Sequence, residues 1–309
     1  MLAPAKRPCL NPVLRRITKN GVPMSSFEDQ FVNVGTVRTR YWQAGSSGSV
    51  VVLVHGIGCS VLEWRSNIAE LARHHRVYAL DLVGYGLSDK PAGARYSLRE
   101  IAQHIVGFMD ALGLARAHLA GNSLGGRLAL ECARFAPARV ASMALVDPAG
   151  VGSETHINFR LATVPVLGDL LARPSRFGLR LTWRAAFFDP SLATPELIDE
   201  KLRFASQPGA QAAFMKTVRA FVGFSGFQMD QVLALQADMP AMQMPALVLW
   251  GREDHLLPVK QAEILRGLLP HVQVIVYERC GHMPQTECAQ QFNQDVLVFW
   301  AKVDADGGS

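Results

Sequence analysis

The chain has 309 residues, of which 49% are hydrophobic and 18% are charged. This composition excludes global disorder, and the length fits one α/β domain with an inserted subdomain. The formal net charge is +5. Residues 1–20 carry five basic side chains and no acid, so the remainder is near neutral. We interpret this segment as a solvated tail, with a transit peptide as the alternative, and expect no nucleic-acid partner.

Cysteines and hydropathy indicate the compartment. The chain has an odd number of cysteines, and none of their spacings is typical of a metal knuckle (Cys9, Cys59, Cys132, Cys280 and Cys288). A reducing compartment fits this usage. No apolar run reaches the roughly 18 residues that span a bilayer. We therefore expect a cytoplasmic protein, monomeric or homodimeric, with no metal, no cofactor and no membrane span.

The elements in the first half alternate in type. Residues 31–34 and 37–42 alternate in polarity like an antiparallel hairpin at a sheet edge. Further strands and helices then follow in turn, and Ser97 with Glu100 resembles a capping box. The predicted strands are 50–54, 76–80, 117–120 and 140–146, and the predicted helices are 61–73, 97–112 and 126–135.

This alternation stops near Gly150 and resumes at a strand over residues 246–250. A helix at 259–269, a strand at 272–277 and a last helix ending near Trp300 follow. The pattern predicts an α/β fold with a mostly parallel, doubly wound sheet. The interruption is predicted to be helical and to cover the sheet edge where ligands bind. The predicted domains are an N-terminal extension (1–26), a core (27–150 and 241–302) and a cap segment (151–240).

The strongest motif is Gly121-Asn122-Ser123-Leu124-Gly125. It lies between a predicted strand and a predicted helix. A serine at such a turn is held exposed at a strained position, which suits a nucleophile. A G-x-S-x-G pattern alone is weak evidence, and its context makes it specific.

A hydroxyl nucleophile needs a base, and the base needs an orienting group. His282, on the loop after one predicted strand, is the base candidate, and Asp254, after another, is the acid. The rival acid is Asp147, and the rival base is His255. His55 is expected to be a structural hydrogen-bonding residue. Two backbone N–H groups, those of Leu124 and Ile57, are the candidate oxyanion donors.

These motifs, together with residues 55–58 and 81–91, resemble the α/β-hydrolase family over about residues 28–300. The resemblance implies the fold, the Ser-Asp-His order and no required cofactor. Haloalkane dehalogenases and epoxide hydrolases are similar around residues 81–91, but both use an aspartate where this chain has Ser123. The cap segment also lacks the tyrosines of epoxide hydrolases.

Two enzymatic interpretations stay open. One is a carboxylic-ester hydrolase, and the other is a carbon–carbon hydrolase of meta-cleavage products, which commonly has a tryptophan where this chain has Met283. A ligand-binding protein without catalysis is a minor third. The cap segment holds nine of the 15 phenylalanines, which predicts an apolar or aromatic small-molecule substrate. Candidate substrate contacts are Asn122, Gly58, Met283, Trp183 and Arg184, with Arg180 as a second candidate for a carboxylate.

Overall fold

The computed structural model describes residues 5–8, as backbone, and residues 27–307. The strands of these residues are β1 (Ala5–Pro8), β2 (Gln30–Val34), β3 (Val37–Ala44), β4 (Val50–Val54), β5 (Arg76–Leu80), β6 (Ala117–Asn122), β7 (Val140–Val146), β8 (Val222–Gly223), β9 (Gly226–Phe227), β10 (Ala246–Gly251) and β11 (Gln273–Glu278).

Nine of these strands form one sheet in the order β1-β11-β10-β7-β6-β4-β5-β3-β2. Along this spatial order, every neighbouring pair from β1 to β5 is parallel. The last two pairs, β5 with β3 and β3 with β2, are antiparallel. The predicted edge hairpin is confirmed, because β2 is the last strand of the sheet. The predicted α/β architecture with a mostly parallel sheet is confirmed as well.

The α-helices are α1 (Ile68–Leu71), α2 (Leu98–Ala111), α3 (Leu124–Phe135), α4 (Ile157–Ala162), α5 (Leu167–Leu171), α6 (Arg176–Ala186), α7 (Pro195–Ala205), α8 (Ala210–Phe221), α9 (Met229–Asp238), α10 (Gln261–Leu268), α11 (Pro284–Glu287) and α12 (Ala289–Gly307). The predicted cap at Ser97 is present, since its Oγ accepts the Glu100 N–H at 3.2 Å.

The prediction of one continuous helix over residues 61–73 is wrong. A 3₁₀ turn at Val61–Trp64 and the single turn α1 occupy this segment. Between them, the Asn67 side chain donates to the Gln285 carbonyl and to Asn293 Oδ1. Tertiary contacts with the C-terminal part of the chain therefore accompany the break.

The core lies on both faces of the sheet, as β4 illustrates. Its five residues are all buried. Val52 and Val54 pack into the cluster that includes α2, α3 and α10, whereas Val51 and Leu53 pack into the cluster that includes α1 and α12. A continuous apolar run is what a strand covered on both faces requires.

The segment between β7 and β10 is helical, as predicted, and contains α4 to α9. It also contains the two-residue strands β8 and β9, which pair antiparallel and were not predicted. The domain boundaries at residues 26, 150 and 240 stay predictions.

The N-terminal extension contributes an element that the sequence analysis did not predict. Residues 5–8 form β1, which pairs parallel with β11 at the sheet edge. Its proline is compatible with an edge strand. The other residues of the predicted extension lie outside the described part of the chain.

Two further expectations concern compartment and membrane. No helix of the described residues is both long enough and apolar enough to cross a bilayer. Cys59, Cys132 and Cys280 are buried free thiols, whereas Cys288 is disulfide-bonded. The odd cysteine count therefore does not by itself indicate a reducing compartment, and the cytoplasmic location stays a prediction.

Candidate active site

Ser123 occupies the sharp turn between β6 and α3. Its φ of 55° and ψ of −114° place a non-glycine residue in a strained backbone region. The Ser123 N–H donates to the Val146 carbonyl at 2.8 Å. Such strain persists only where the surrounding structure enforces it, and it is common at functional sites.

The glycines of the motif allow this turn to pack tightly. A Cβ on Gly125 would collide with the Val54 carbonyl at the end of β4, and a Cβ on Gly121 would collide with the backbone of Gly125. The motif therefore needs small residues so that α3 can approach the sheet closely.

His282 and Asp254 form the shortest polar contact of the site. His282 Nδ1 lies 2.6 Å from Asp254 Oδ2, and both side chains are buried. The other oxygen, Asp254 Oδ1, accepts the N–H groups of Leu256 and Leu257 at 2.7 and 2.9 Å. Because three donors surround this carboxylate, its orientation toward the imidazole is fixed.

The backbone of His282 is held from two sides. Its N–H donates to the Ala186 carbonyl at 2.7 Å, at the end of α6. Its carbonyl accepts the Asn122 side-chain amide at 3.0 Å. Asn122 directly precedes Ser123, and its side chain thereby connects the end of β6 to the loop that carries His282.

A narrow cavity of about 20 Å³ joins the candidate residues. Ser123, His282, Leu124 and Ile57 all line it. The remaining lining is largely apolar (Ala149, Thr155, Phe159, Val218, Phe221, Val222, Phe227, Leu256 and Leu257). Three phenylalanines of the cap segment thus line the cavity. Val218 also lines it, but its local sequence does not indicate this role, because nothing there distinguishes it from a core residue.

His55 has the contacts of a structural residue. Its Nδ1 lies 2.7 Å from the Gly56 carbonyl, and its Nε2 accepts the Leu82 N–H at 3.0 Å. Burial lowers the pKa of His55 to about 3, so the ring is neutral. With Nδ1 protonated, both nitrogens are satisfied and the loop that carries Ile57 is braced.

Glu63 is a buried residue that the sequence analysis missed. Its carboxylate accepts the Gly56 N–H at 3.1 Å and the Gln285 side-chain amide at 2.7 Å. It therefore connects the loop of Ile57 to the segment after His282. A glutamate on a helical turn is usually solvent-exposed, so no local signal marks this role.

The five predicted substrate contacts lie in varied surroundings, and none of them lines the cavity. Asn122 and Met283 are buried, and Arg184 is exposed. Trp183 is buried against Phe187 and under the Lys201 ammonium, whereas Gly58 lies beside the Phe214 ring. Their role in binding substrate stays a prediction.

The rival base, His255, and the rival acid, Asp147, lie in different surroundings. His255 is exposed, whereas Asp147 is buried beside Asp254 and His282. One atom from each of Asp147, Asp254 and His282 lies within 4.8 Å of the other two, and this is the one such group of His, Cys, Asp or Glu in the described chain. Within this group, His282 Nδ1 already contacts Asp254 Oδ2 at 2.6 Å, and the absence of a metal stays a prediction.

A larger cavity, of about 470 Å³, lies apart from these residues. Two arginines of its lining are paired with carboxylates of the same lining, since Arg40 bridges to Asp29 and Arg65 bridges to Glu200. It contains neither Ser123 nor His282, so we do not place the active site there.

Comparisons with known proteins agree with this geometry. The family profile described as "alpha/beta hydrolase fold" matches residues 49–289. A Pseudomonas putida protein named "Dihydrolipoyllysine-residue acetyltransferase component of acetoin cleaving system" is 35% identical over 88% of this chain and 69% of its own length. The "2-hydroxy-6-oxo-2,4-heptadienoate hydrolase" of a Pseudomonas putida strain is 33% identical over 89% of this chain and 97% of its own.

A solved structure supports the same assignment. The meta-cleavage product hydrolase CumD of Pseudomonas fluorescens superimposes with a TM-score of 0.75 at 30% identity, covering 88% of this chain and 97% of that one. With the sheet order, the turn at Ser123 and the profile match in agreement, the chain belongs to the α/β-hydrolase fold family and is a hydrolase.

Proposed function

We propose that this protein is a serine hydrolase in which Ser123, His282 and Asp254 cleave a small apolar carbonyl compound, in the first place a carboxylic ester. The observation that carries this proposal is the 2.6 Å contact between His282 Nδ1 and Asp254, at a cavity that Ser123 also lines. A strained serine beside an oriented imidazole is the arrangement of an activated nucleophile.

The first half of the reaction transfers the acyl group to the enzyme. Ser123 Oγ attacks the carbonyl carbon while His282 Nε2 takes the hydroxyl proton, and Asp254 stabilises the imidazolium through Nδ1–H. The N–H groups of Leu124 and Ile57 stabilise the oxyanion. His282 then gives the proton to the departing alkoxide, and the alcohol leaves.

Water completes the cycle. His282 takes a proton from water, and the hydroxide attacks the acyl-Ser123 carbonyl. Collapse of this second tetrahedral intermediate returns the proton to Ser123 Oγ and releases the carboxylic acid. No redox step occurs, so the residues of this chain suffice.

The lining of the cavity favours an apolar acyl group. Apart from His282, none of the described residues around it has a basic side chain. Arg180 and Arg184, the candidates for holding a substrate carboxylate, are exposed. A substrate with a free carboxylate would therefore meet no cation at the site in this conformation.

A second candidate function is hydrolysis of a carbon–carbon bond. The relatives support it, because the 33% identical protein is named as a heptadienoate hydrolase and CumD as a meta-cleavage product hydrolase. In that case the same residues would first assist ketonisation of a dienol, and Ser123 would then attack the ketone.

We also propose that the cap segment, residues 151–240, acts as a lid over the site. Phe159 on α4, together with Val218 and Phe221 on α8, lies around the same cavity as Ser123. A cavity of about 20 Å³ holds roughly one water molecule, so substrate entry requires movement of these residues.

The test is kcat/KM on p-nitrophenyl acetate and octanoate and on a 2-hydroxy-6-oxo-hexadienoate. Ser123→Ala serves as the blank, and Ser153→Ala, at an exposed serine, is the matched control. Ester turnover that is lost only in Ser123→Ala supports the esterase. Preference for the dienoate by more than about tenfold would establish the second candidate.

Retained turnover in Ser123→Ala would contradict both enzymatic proposals. Binding of either compound without turnover by the native protein would instead favour a ligand-binding role.

A further inference from the structure

Asp147 is placed next to Asp254 by strand order. It follows β7, which pairs with β10, and the Asp147 N–H donates to the Leu249 carbonyl at 3.0 Å. Its Oδ1 accepts the Gly251 N–H at 3.0 Å, at the start of the turn that leads to Asp254. With a φ of 42°, Asp147 is held in a left-handed backbone region that is strained for a non-glycine residue.

The second carboxyl oxygen of Asp147 has no donor. Oδ2 is buried and accepts no hydrogen bond from any described N–H or O–H group. An atom of Asp147 nevertheless lies within 4.8 Å of one atom each of Asp254 and His282. Two carboxyl groups and one imidazole thus share a buried space.

Two carboxylates this close cannot both be ionised without a cation between them. Burial raises the pKa of Asp147 well above its usual range, and the charge of Asp254 raises it further. Asp254 has three hydrogen-bond donors around it, the Leu256 and Leu257 N–H groups and His282, whereas Oδ2 of Asp147 has none. The proton of the pair therefore belongs on Asp147.

The other titratable groups around Asp147 do not change this assignment. Glu287, after β11, adds negative charge and also favours the protonated form of Asp147. Burial raises the pKa of the Cys280 thiol well above its usual range, so this neighbour is neutral. His282 faces Asp254 through Nδ1.

We propose that Asp147 is a protonated positioning residue that donates a hydrogen bond to Asp254 and that, when Asp254 is removed, ionises and orients His282 in its place. This inference rests on the proposed function of Ser123, His282 and Asp254. In the native protein Asp147 keeps its proton. Without Asp254, that proton passes to solvent, and the Asp147 carboxylate accepts Nδ1–H.

The chain thus contains a reserve acid, by which we mean a second carboxyl group able to replace the first. The arrangement predicts strong non-additivity between the two positions. Contact between the two side chains can also cause non-additivity, so the pH profile, which packing alone does not move, distinguishes a reserve acid from a packing residue.

The experiment measures kcat/KM from about pH 5 to pH 9 for the native protein, Asp147→Asn, Asp254→Ala and the double variant, with Ser123→Ala as blank. We expect Asp147→Asn alone to cost about threefold, because the amide can still donate to Asp254. Asp254→Ala should cost about 10²-fold, less than the ~10⁴-fold that a misoriented histidine costs.

In the Asp254→Ala background, Asp147→Asn should lower kcat/KM by a further ~30-fold or more. The acid limb of the Asp254→Ala profile should also lie at higher pH than that of the native protein, because Asp147 must first ionise. The double variant should lose this displacement. A purely structural role would not move the acid limb.

Equal factors for Asp147→Asn in both backgrounds would overturn the proposal. So would loss of native activity on dialysis against EDTA with recovery on adding Zn²⁺, since that would make the three residues metal ligands. If Asp147→Asn does not fold, as judged by circular dichroism, Asp147→Ser replaces it in the same comparison. Turnover that survives in the Ser123→Ala blank would instead mark failure of the proposed function itself.

Discussion

The carboxylate of Glu287 accepts a hydrogen bond of 2.8 Å from the backbone N–H of Phe188. Phe188 follows α6 in the cap segment, whereas Glu287 ends α11, shortly after His282. The other oxygen of the same carboxylate accepts the Gly281 N–H at 2.9 Å. One buried side chain therefore connects the cap segment to the loop that positions the candidate base.

Replacing Glu287 with glutamine should weaken this connection. Glutamine has one acceptor oxygen, so either Phe188 or Gly281 would be left with a buried N–H facing an NH₂ group. We expect a loss of about 1–3 kcal/mol in the free energy of unfolding. A fall of about tenfold in kcat/KM should follow as His282 loses its fixed position.

Urea denaturation and ester hydrolysis measure these two quantities. Glu263→Gln, at an exposed position of α10, is the matched control and should change neither. If Glu287→Gln behaved like Glu263→Gln, the carboxylate would have no part in holding the loop.

Gly281 should not tolerate a methyl group. A Cβ there would lie 2.5 Å from the Ala186 carbonyl oxygen and 2.7 Å from the Phe188 nitrogen, both of them backbone atoms. We expect Gly281→Ala to displace the loop of His282 and to lower kcat/KM by about 10–100-fold.

The same substitution at Gly267 provides the comparison. A Cβ at Gly267 would meet nothing within 4 Å. Because Gly267 lies in α10, Gly267→Ala should raise the free energy of unfolding by about 0.5–1 kcal/mol and leave kcat/KM unchanged. Equal activity of the two variants would show that the loop can absorb the methyl group.

The stability of the protein should depend on pH through its buried histidines, with His104 as the cleanest case. Burial lowers the pKa of His104 to about 4, and its Nε2 lies 3.0 Å from Thr39 Oγ1. An unfolded histidine titrates near pH 6.5, so between these values the unfolded chain binds more protons. This contribution is therefore present at neutral pH and is lost as the pH falls toward 4.

A buried carboxyl group with a raised pKa has the opposite effect, because it makes the folded protein more stable as the pH falls. Glu287, with a pKa of about 7, is such a group. The observable is therefore the difference between variants. The change in the free energy of unfolding between pH 7.5 and pH 5 should be less negative in His104→Gln by about 1–2 kcal/mol. His74→Gln, which removes an exposed histidine, is the matched control. Identical slopes for all three proteins would show that the pKa of His104 is the same in the folded and unfolded states.

Phe159 should limit the length of the acyl group. Its ring lines the cavity beside Ser123 and is only partly buried. Phe159→Ala should raise the ratio of kcat/KM for p-nitrophenyl octanoate to kcat/KM for the acetate by about tenfold. The reason is that each buried methylene of the longer acyl chain contributes about 0.8 kcal/mol. Phe177→Ala is the control, because that ring is 80% exposed on the cap segment. An unchanged ratio in Phe159→Ala would place the acyl group elsewhere.

Local pattern predicted most of the sheet. β4 coincides with the predicted strand 50–54, because a run of five apolar β-formers has few alternatives to a strand buried on both faces. The helix predicted over residues 61–73 failed for the opposite reason. Its local propensity is helical, but Asn67 is engaged by Gln285 and Asn293, more than 200 positions away.

The candidate site divides in the same way. The sequence by itself determined Ser123 and the order of Asp254 and His282, since a strand-turn-helix motif and the ends of parallel strands are properties of local pattern. Only the tertiary structure decided that Asp147 lies beside Asp254 and that Glu287 reaches Phe188. Burial and charge pairing across distant elements depend on how the strands are ordered, and no local stretch of sequence encodes that order.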